Sequence, residues 1–434
     1  MRWFLASWAI VLLCVGALAA DDSAAETLPP ASAVEPDQTA WTLDELEEYA
    51  QIHSPRLREA AQEVQVQRGR AWQAGLYPNP VADGGSTQLG GSTTQFYGQL
   101  SQEIVTKHKL KLDRAAISQE VVQAELRFVR TRFDLLTDVR QGFYTTLTAQ
   151  RRREVIEQLM AIVRRSAEAA QALERGGEGS RGDTLLLELE LERADVSLQN
   201  AGVQLQAAQR QLAATLGDPD LIIERLDANL MQPLPDYPFQ LTETGVLTRN
   251  ALVQAAQVEI ERNRILLDRA IVEPFPNITV TGGYLHQATG GNIPPQPPNQ
   301  AIIQLAMPLP IWNKNQGNIA AAQASIGRAG YASRRTQVEL IGQLAGATGR
   351  FDVARQQVAK YEKSIMPKAR ETVKISQQGF QQGQFDLLRV LQSQRALIES
   401  QLNYLNAQES RWTAAAEIAG LLQEEEFPRE TNPE

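Results

Sequence analysis

The chain is poor in the residues that carry most catalytic and metal chemistry. Among its 434 residues there are one Cys, three His and five Met. That supply excludes a zinc ribbon and a disulfide framework, and it leaves too few donors for a dense metal cage. Cations are also in deficit: 42 Lys and Arg against 51 Asp and Glu give a net charge of -9. A nucleic-acid surface needs a basic stripe to displace phosphate counterions, and this balance argues against one. Beyond the N-terminal segment, no run reaches the roughly 18 apolar residues that a membrane helix needs. If the mature chain crosses a bilayer, it must do so with β-strands closed into a barrel. With 43% hydrophobic residues the chain can still bury a sizeable core.

Residues 1–19 read as a secretory signal peptide. Arg2 supplies the positive end, Trp3 to Leu18 is apolar, and Ala17-Leu18-Ala19 is a small-x-small cleavage site. An uncleaved anchor helix is the alternative, against which stand the short run and the Asp21-Asp22 pair that follows it. Cys14 lies inside the apolar run behind bulky Leu13, where lipid attachment calls for a small residue. The expected product is an exported bacterial protein without cysteine.

An internal repeat organises the rest. Pro78-Asn79 and Gly84-Gly85 return as Pro276-Asn277 and Gly282-Gly283, and Ala60-Ala61-Gln62 returns as Ala255-Ala256-Gln257. Gln99-Leu100 returns as Gln304-Leu305, so the second copy carries a few extra residues, assigned to the Gly- and Pro-rich hairpin loop at 290–299. A period near 200 is a duplicated half and not a solenoid. The expected divisions are a disordered segment at 20–40, a first repeat at 41–217, a linker at 218–245, a second repeat at 246–422 and a disordered acidic tail at 423–434. The Pro-rich part of the linker, 232–238, is expected in a small belt around the helices.

Each half is predicted to run helix, strand, strand, long helix, long helix. Thr42-x-x-Glu45 is a capping box, and Ser54-Pro55 is an N-cap and N1 pair that restarts the first helix. The long helices, 109–174 and 314–380, would each be on the order of 100 Å long. Val129, Phe133, Leu136, Val139, Phe143 and Leu147 recur at three and four spacings, the seam of a coiled coil. Strands are predicted at 79–89, 94–105, 277–287 and 301–311. In the second, Phe96, Leu100 and Ile104 oppose Gln95, Tyr97, Gln99, Ser101 and Glu103; in the fourth, Ile303, Leu305, Met307 and Leu309 share a face. The first is a poorer fit, with Ala82, Gly84, Ser86 and Gln88 on its apolar side. A lipid-facing barrel and a soluble half-buried sheet both explain such alternation. Four strands cannot close a barrel, so the membrane reading requires several chains to pool them.

On these features the chain resembles the TolC-type outer membrane efflux protein family over essentially its whole mature length. The local motifs are Tyr77-Pro78-Asn79-Pro80, Phe275-Pro276-Asn277 and Met307-Pro308-Leu309-Pro310-Ile311-Trp312-Asn313-Lys314-Asn315-Gln316-Gly317. The last is most similar to the branch serving cobalt–zinc–cadmium and copper–silver pumps. Its first-copy counterpart, Glu103-Ile104-Val105-Thr106-Lys107-His108-Lys109, departs from the usual Pro- and Gly-containing pattern. The resemblance implies a homotrimer with a 12-stranded barrel in the outer membrane and a periplasmic α-barrel of coiled-coil helices. It implies a passive duct, not an enzyme, docked on a periplasmic adaptor and an inner-membrane pump of the resistance-nodulation-division type. Cargo would be heavy-metal cations or drugs. The alternative function is a soluble periplasmic coiled-coil adaptor, but an adaptor carries one hairpin between β-sandwich halves.

The breaks between paired long helices, 175–183 and 377–386, are placed by the resemblance at the periplasmic tip. Asp183, Asp386 and Glu178 are the candidate gate residues, and Gly177, Gly179, Ser180, Gly383 and Gln384 the candidate adaptor-docking turns. The residues alone read the first break as a glycine turn with Asp183 as N-cap of the next helix. Both roles can hold at once. Gly177-x-Gly179-x-x-Gly182 matches a dinucleotide fingerprint but follows a helix instead of a strand. His53, His108 and His286 sit at no ligand spacing, and no catalytic, cofactor or metal site is expected.

Overall fold

The computed structural model describes residues 40–88, 94–177, 179–287, 297–382 and 384–428. The expected signal peptide at 1–19, the 20–39 segment, residues 89–93 and 288–296 between paired strands, Glu178 and Gly383 lie outside the described residues. The two halves repeat one order of elements. The first has α1 (Leu43–His53), α2 (Pro55–Ala74), β1 (Val81–Gln88), β2 (Gln95–Ile104), α3 (Lys109–Arg175) and α4 (Arg181–Leu216). The second has α5 (Phe239–Arg249), α6 (Ala251–Val272), β3 (Ile278–Gln287), β4 (Asn299–Ala306), α7 (Gln316–Lys360), α8 (Met366–Gln381) and α9 (Leu387–Leu422).

Local chemistry sets most boundaries. The Glu45 carboxylate accepts from the Thr42 N–H at 2.8 Å, and the Thr42 hydroxyl accepts from the Glu45 N–H at a longer 3.5 Å. Ser54 and Asn250 stand at corresponding places, each ending one short helix and starting the next. The 67 residues of α3 contain no proline and run unbroken for about 100 Å. Its counterpart is interrupted: a π-turn at Tyr361–Ile365 separates α7 from α8 just before Pro367. Proline has no N–H to close the preceding turn, and the wider turn absorbs that loss. The fourth strand ends at Ala306, short of the expected 311, because Pro308 and Pro310 cannot donate to a ladder.

Helices α2, α3, α6 and α7 pack in that order as neighbours, with α4 and α9 also laid along α3. Arg262 to Glu120 at 2.6 Å and Arg269 to Asp113 at 2.7 Å tie α6 to α3 near its start. The core lies midway along α3, where Leu135, Val139, Phe143 and Leu147 meet Leu212 and Leu216 of α4, Leu344 and Phe351 of α7, and Trp412 and Ile418 of α9. Most of the expected seam is thus core: Phe133, Leu136, Val139, Phe143 and Leu147 are buried, and Val129 is half-buried.

The linker wraps this core. Leu226 bridges to Trp41, and the Leu230 carbonyl accepts from the Trp412 indole at 3.0 Å. The start of the acidic tail differs from the expectation of disorder. Phe427 is buried against Tyr144 and Trp412, and the Arg140 guanidinium holds the Glu424 and Glu425 carbonyls at 3.1 and 2.7 Å. Counting charges hid this, because the ordering comes from one aromatic and two backbone oxygens. Residues 429–434 lie outside the described residues.

The four strands form one antiparallel sheet in the order β1-β2-β3-β4. Its two hairpins come from different halves and meet along β2 and β3, from Gln95 opposite Gln287 to Ile104 opposite Ile278. The Pro-Asn motif fastens that junction: Asn277 donates to Glu103 at 2.7 Å and accepts from the Thr106 N–H at 3.2 Å.

Candidate functional site

The register fixes the two faces of the sheet. Phe96, Leu100 and Ile104 of β2 lie opposite His286, Gly282 and Ile278 of β3, and Val280 and Gly282 in turn oppose Leu305 and Ile303 of β4. No described residue covers this apolar face. Ile303 is 83% exposed, Leu305 70%, Leu100 55% and Phe96 52%. The opposite face carries Asp83, Gln99, Ser101, Thr281 and Gln304, with Gln99 donating to Asp83 at 3.1 Å and Ser101 bonded to Thr281 at 2.9 Å. A soluble half-buried sheet would turn its apolar side to a core. Here that side faces outward, and β1 and β4 are open edges within the chain. Ala82, Gly84 and Ser86 of β1 share the apolar face, so the weakest strand of the sequence reading remains the least apolar. Exposed Tyr77, Phe275, Leu309, Ile311 and Trp312 gather where strands hand over to helices, as interfacial side chains do at a bilayer boundary.

At the other end lie the two turns. Leu187 of α4 packs with Ala167 and Ala170 of α3 and with Leu391 of α9, and Glu190 pairs with Arg395 at 3.1 Å. These contacts bring the turn after α3 and the turn after α8 to the same end of the bundle. In the first turn Gly177 adopts φ +79°, a left-handed conformation that L side chains rarely take. Gly179 donates to the Leu173 carbonyl at 3.0 Å, and a Cβ there would lie 2.8 Å from the Glu174 nitrogen. Here the glycine is needed for space.

The helix cap in this turn is a correction. Ser180, not Asp183, is the N-cap of α4, its hydroxyl accepting from the Gly182 N–H at 3.1 Å. Asp183 is an exposed residue of the first helical turn, where its charge favours the positive end of the helix. Ser180-x-x-Asp183 was the overlooked signal, since a hydroxyl three residues before an acid marks a helix start. Among the described residues Asp183 has no side-chain hydrogen bond or ion pair, whereas its neighbour Arg181 pairs with Glu174 at 3.4 Å. Bonding to Thr184, together with the Arg181 charge, holds the Glu174 carboxyl below its ordinary range.

In the second turn the capping aspartate is Asp386, which accepts from the Arg389 N–H at 3.1 Å. Gln384 and Phe385 donate to the Gly379 carbonyl at 2.8 and 3.2 Å. The Phe385 ring lies on Gly379, where a Cβ would come within 2.3 Å of it, and Arg389 stacks on the same ring at 4.0 Å. Gly379 therefore shapes this turn; Gly383 lies outside the described residues.

Groups of three or more His, Cys, Asp or Glu able to hold a metal ion are absent among the described residues. His53 stacks on Tyr49 at 3.9 Å, His286 bonds Asn299 at 2.8 Å, and His108 sits in the turn before α3. No described helix is long and apolar enough to cross a membrane.

Comparison with known proteins agrees with this geometry. Residues 245–423 match the family model described as outer membrane efflux protein. The chain is 27% identical over 371 residues to the cobalt-zinc-cadmium resistance protein CzcC of Cupriavidus metallidurans, covering 84% of this chain and 86% of that one. Its fold is shared with CusC at a TM-score of 0.76, with 16% identity over 90% of this chain and 95% of the other. The outer membrane protein VceC of Vibrio cholerae gives 0.72, with 18% identity over 88% and 95%. The duplicated halves, the uncovered strand face and the helical tip are thus features of a chain whose second half matches the outer membrane efflux protein family and whose fold is shared with solved outer-membrane channels.

Proposed function

We propose that the protein is the outer-membrane duct of a tripartite efflux system, assembled as a homotrimer. The observation that carries this reading is the sheet with an uncovered apolar face and two open edges. In hydrocarbon an open edge leaves backbone groups unbonded, so β4 of one copy must pair with β1 of the next. Two copies would give eight strands, a barrel just wide enough for side chains to fill; three give twelve and leave a passage. The helices continue the passage into the periplasm, and the tip formed by the two turns meets a periplasmic adaptor and, through it, an inner-membrane pump of the resistance-nodulation-division type. Gly177, Gly179, Ser180, Gly383 and Gln384 form the docking turns. Asp183, with Glu178 and Asp386, sets an anionic ring at the pore tip that raises local cation concentration. The likeness to CzcC supports heavy-metal cations as cargo, with selectivity assigned to the pump.

The test is size and conductance together. Extracted from outer membranes, the mature protein should run as a detergent-resistant trimer and open discrete channels in planar bilayers. A monodisperse monomer obtained without detergent would overturn the proposal.

A further inference from the structure

Between the end of α2 and the start of α3 lies a cleft of about 450 Å³ whose lining is basic. Lys107, His108, Lys109, Lys111 and Arg114 line it, with Tyr77 at its side and no carboxylate. Lys109 is already engaged: it is buried, and its ammonium meets the Glu273 carbonyl at 3.1 Å and carboxylate at 3.6 Å. Lys107, Lys111 and Arg114 have no ion-pair partner among the described residues, although the chain carries a net negative charge. Lys107 is held over the Phe275 ring at 4.5 Å. Arg114 lies across Gly75, so closely that a Cβ there would be 2.9 Å from its Cδ. Lys107 and His108 both adopt positive φ, 54° and 55°, in consecutive positions. Non-glycine residues hold such conformations where the surrounding structure fixes them, commonly at ligand sites.

The duplication supplies an internal control. Aligning the left-handed caps His108 and Asn315 sets Lys109, Lys111 and Arg114 against Gln316, Asn318 and Ala321, and only Lys107 meets a cation, Lys314. The second copy also starts its long helix behind a left-handed cap, Asn315, without the cluster, so the cap does not require it. The cleft lining also includes Val105, directly after Ile104, the last apolar-face residue of β2, together with exposed Tyr77.

We propose that this cleft binds a phosphate group, with Lys107, Lys111 and Arg114 as its ligands, and that the group is the headgroup of an anionic lipid in the periplasmic leaflet. A planar guanidinium can take two phosphate oxygens and the ammonium groups a third, while Tyr77 rests at the headgroup level. The lipid source rests on the membrane reading above; the phosphate chemistry does not. Free phosphate is the other source of the same group.

The experiment uses the full mature protein in an uncharged detergent, titrated with short-chain phosphatidylglycerol, short-chain phosphatidylcholine and inorganic phosphate, with retention read by native mass spectrometry. Wild type should prefer phosphatidylglycerol to phosphatidylcholine and lose that preference at high salt. The triple variant Lys107→Gln, Lys111→Gln, Arg114→Gln should bind phosphatidylglycerol roughly a hundredfold more weakly, given the attraction of each cation near an anionic surface. A charge-matched variant on the α7–α8 stretch, Lys363→Gln, Lys368→Gln, Lys374→Gln, should bind as wild type. Retention of inorganic phosphate with indifference to phosphatidylglycerol would keep the phosphate site and overturn the lipid source. Equal loss in both triple variants, or none in the first, overturns the site. Bilayer conductance of the same preparations reads the channel independently, so an intact channel with indifferent lipid binding sinks this inference alone.

Discussion

Arg140 is the residue whose removal should cost the fold most for a single charge. It is fully buried, and its Nε donates to Glu47 at 2.6 Å. Its Nη2 donates to the other Glu47 oxygen at 3.3 Å and to the Glu425 carbonyl, its Nη1 to the Glu424 carbonyl, and its guanidinium carbon lies 5.0 Å from the Phe427 ring. Arg140→Ala leaves a largely buried carboxylate without its counter-charge and two carbonyls without donors. Breaking a buried pair from one side costs about 3–5 kcal/mol. By contrast, the Arg132–Glu425 pair at 2.7 Å is 30% and 61% exposed, and an exposed pair contributes only about 0.2–1 kcal/mol. The comparison assigns anchoring of the tail to Arg140.

Hydrogen exchange on the assembled protein reads this directly. Arg140→Ala should reduce amide protection around Glu424 and Glu425 at least a hundredfold, and Arg132→Ala less than tenfold. The effect should depend on pH with a definite sign. Burial pushes the Glu47 carboxyl above its ordinary value of 4.5, outweighing the hydrogen bond and charge of Arg140. A carboxyl raised in the folded state contributes stability that is present below 4.5 and lost as pH rises through its folded value. Without Arg140 that upward shift grows, so the loss in Arg140→Ala should shrink on acidification, as Glu47 takes a proton. Replacing both residues with Met should recover most of the stability, since apolar groups of similar volume need no partner. A protection loss below tenfold in Arg140→Ala, or one that grows on acidification, would refute the reasoning.

Three further outcomes follow from the geometry. Ile303→Lys should impair barrel insertion by about 2–4 kcal/mol in a membrane-folding titration, because a cation on the lipid face is costly near the midplane; the adjacent Ile302→Lys, on the other face, should be tolerated. Asp183→Asn should lower cation preference in single-channel recordings without changing thermal stability. Ser180→Ala should do the reverse, with a local cost of about 1 kcal/mol for the lost cap; a swap of these two effects would return the cap to Asp183. Gly379→Ala should displace the Phe385 ring and destabilise the second turn by about 1–3 kcal/mol, seen as increased proteolysis at the tip, whereas Ala at Gly202, with nothing within 4 Å of a Cβ, should be silent.

Much of this architecture is written locally. The capping box at Thr42, the Ser54-Pro55 restart, the unbroken α3 and the alternation in β2 are each decided within a few residues, by cap hydrogen bonds, missing prolines or a period of two. The duplication made those signals appear twice, which fixed the order of elements. What the sequence left open depended on partners distant along the chain. Alternation showed which strand faces were apolar, but only the sheet, with Leu305 across from Val280 and no described residue above Ile303, showed that the face is uncovered. Counting charges made the tail look disordered, because Arg140 lies more than 280 residues from the carbonyls it holds. Asp183 read as a cap because glycines blur where a helix begins, and the hydroxyl bonded to Gly182 decided it. Local hydrogen-bonding and periodicity are short-range and legible in order; burial, counter-charge and edge exposure belong to the packed chain, and only tertiary structure assigned them.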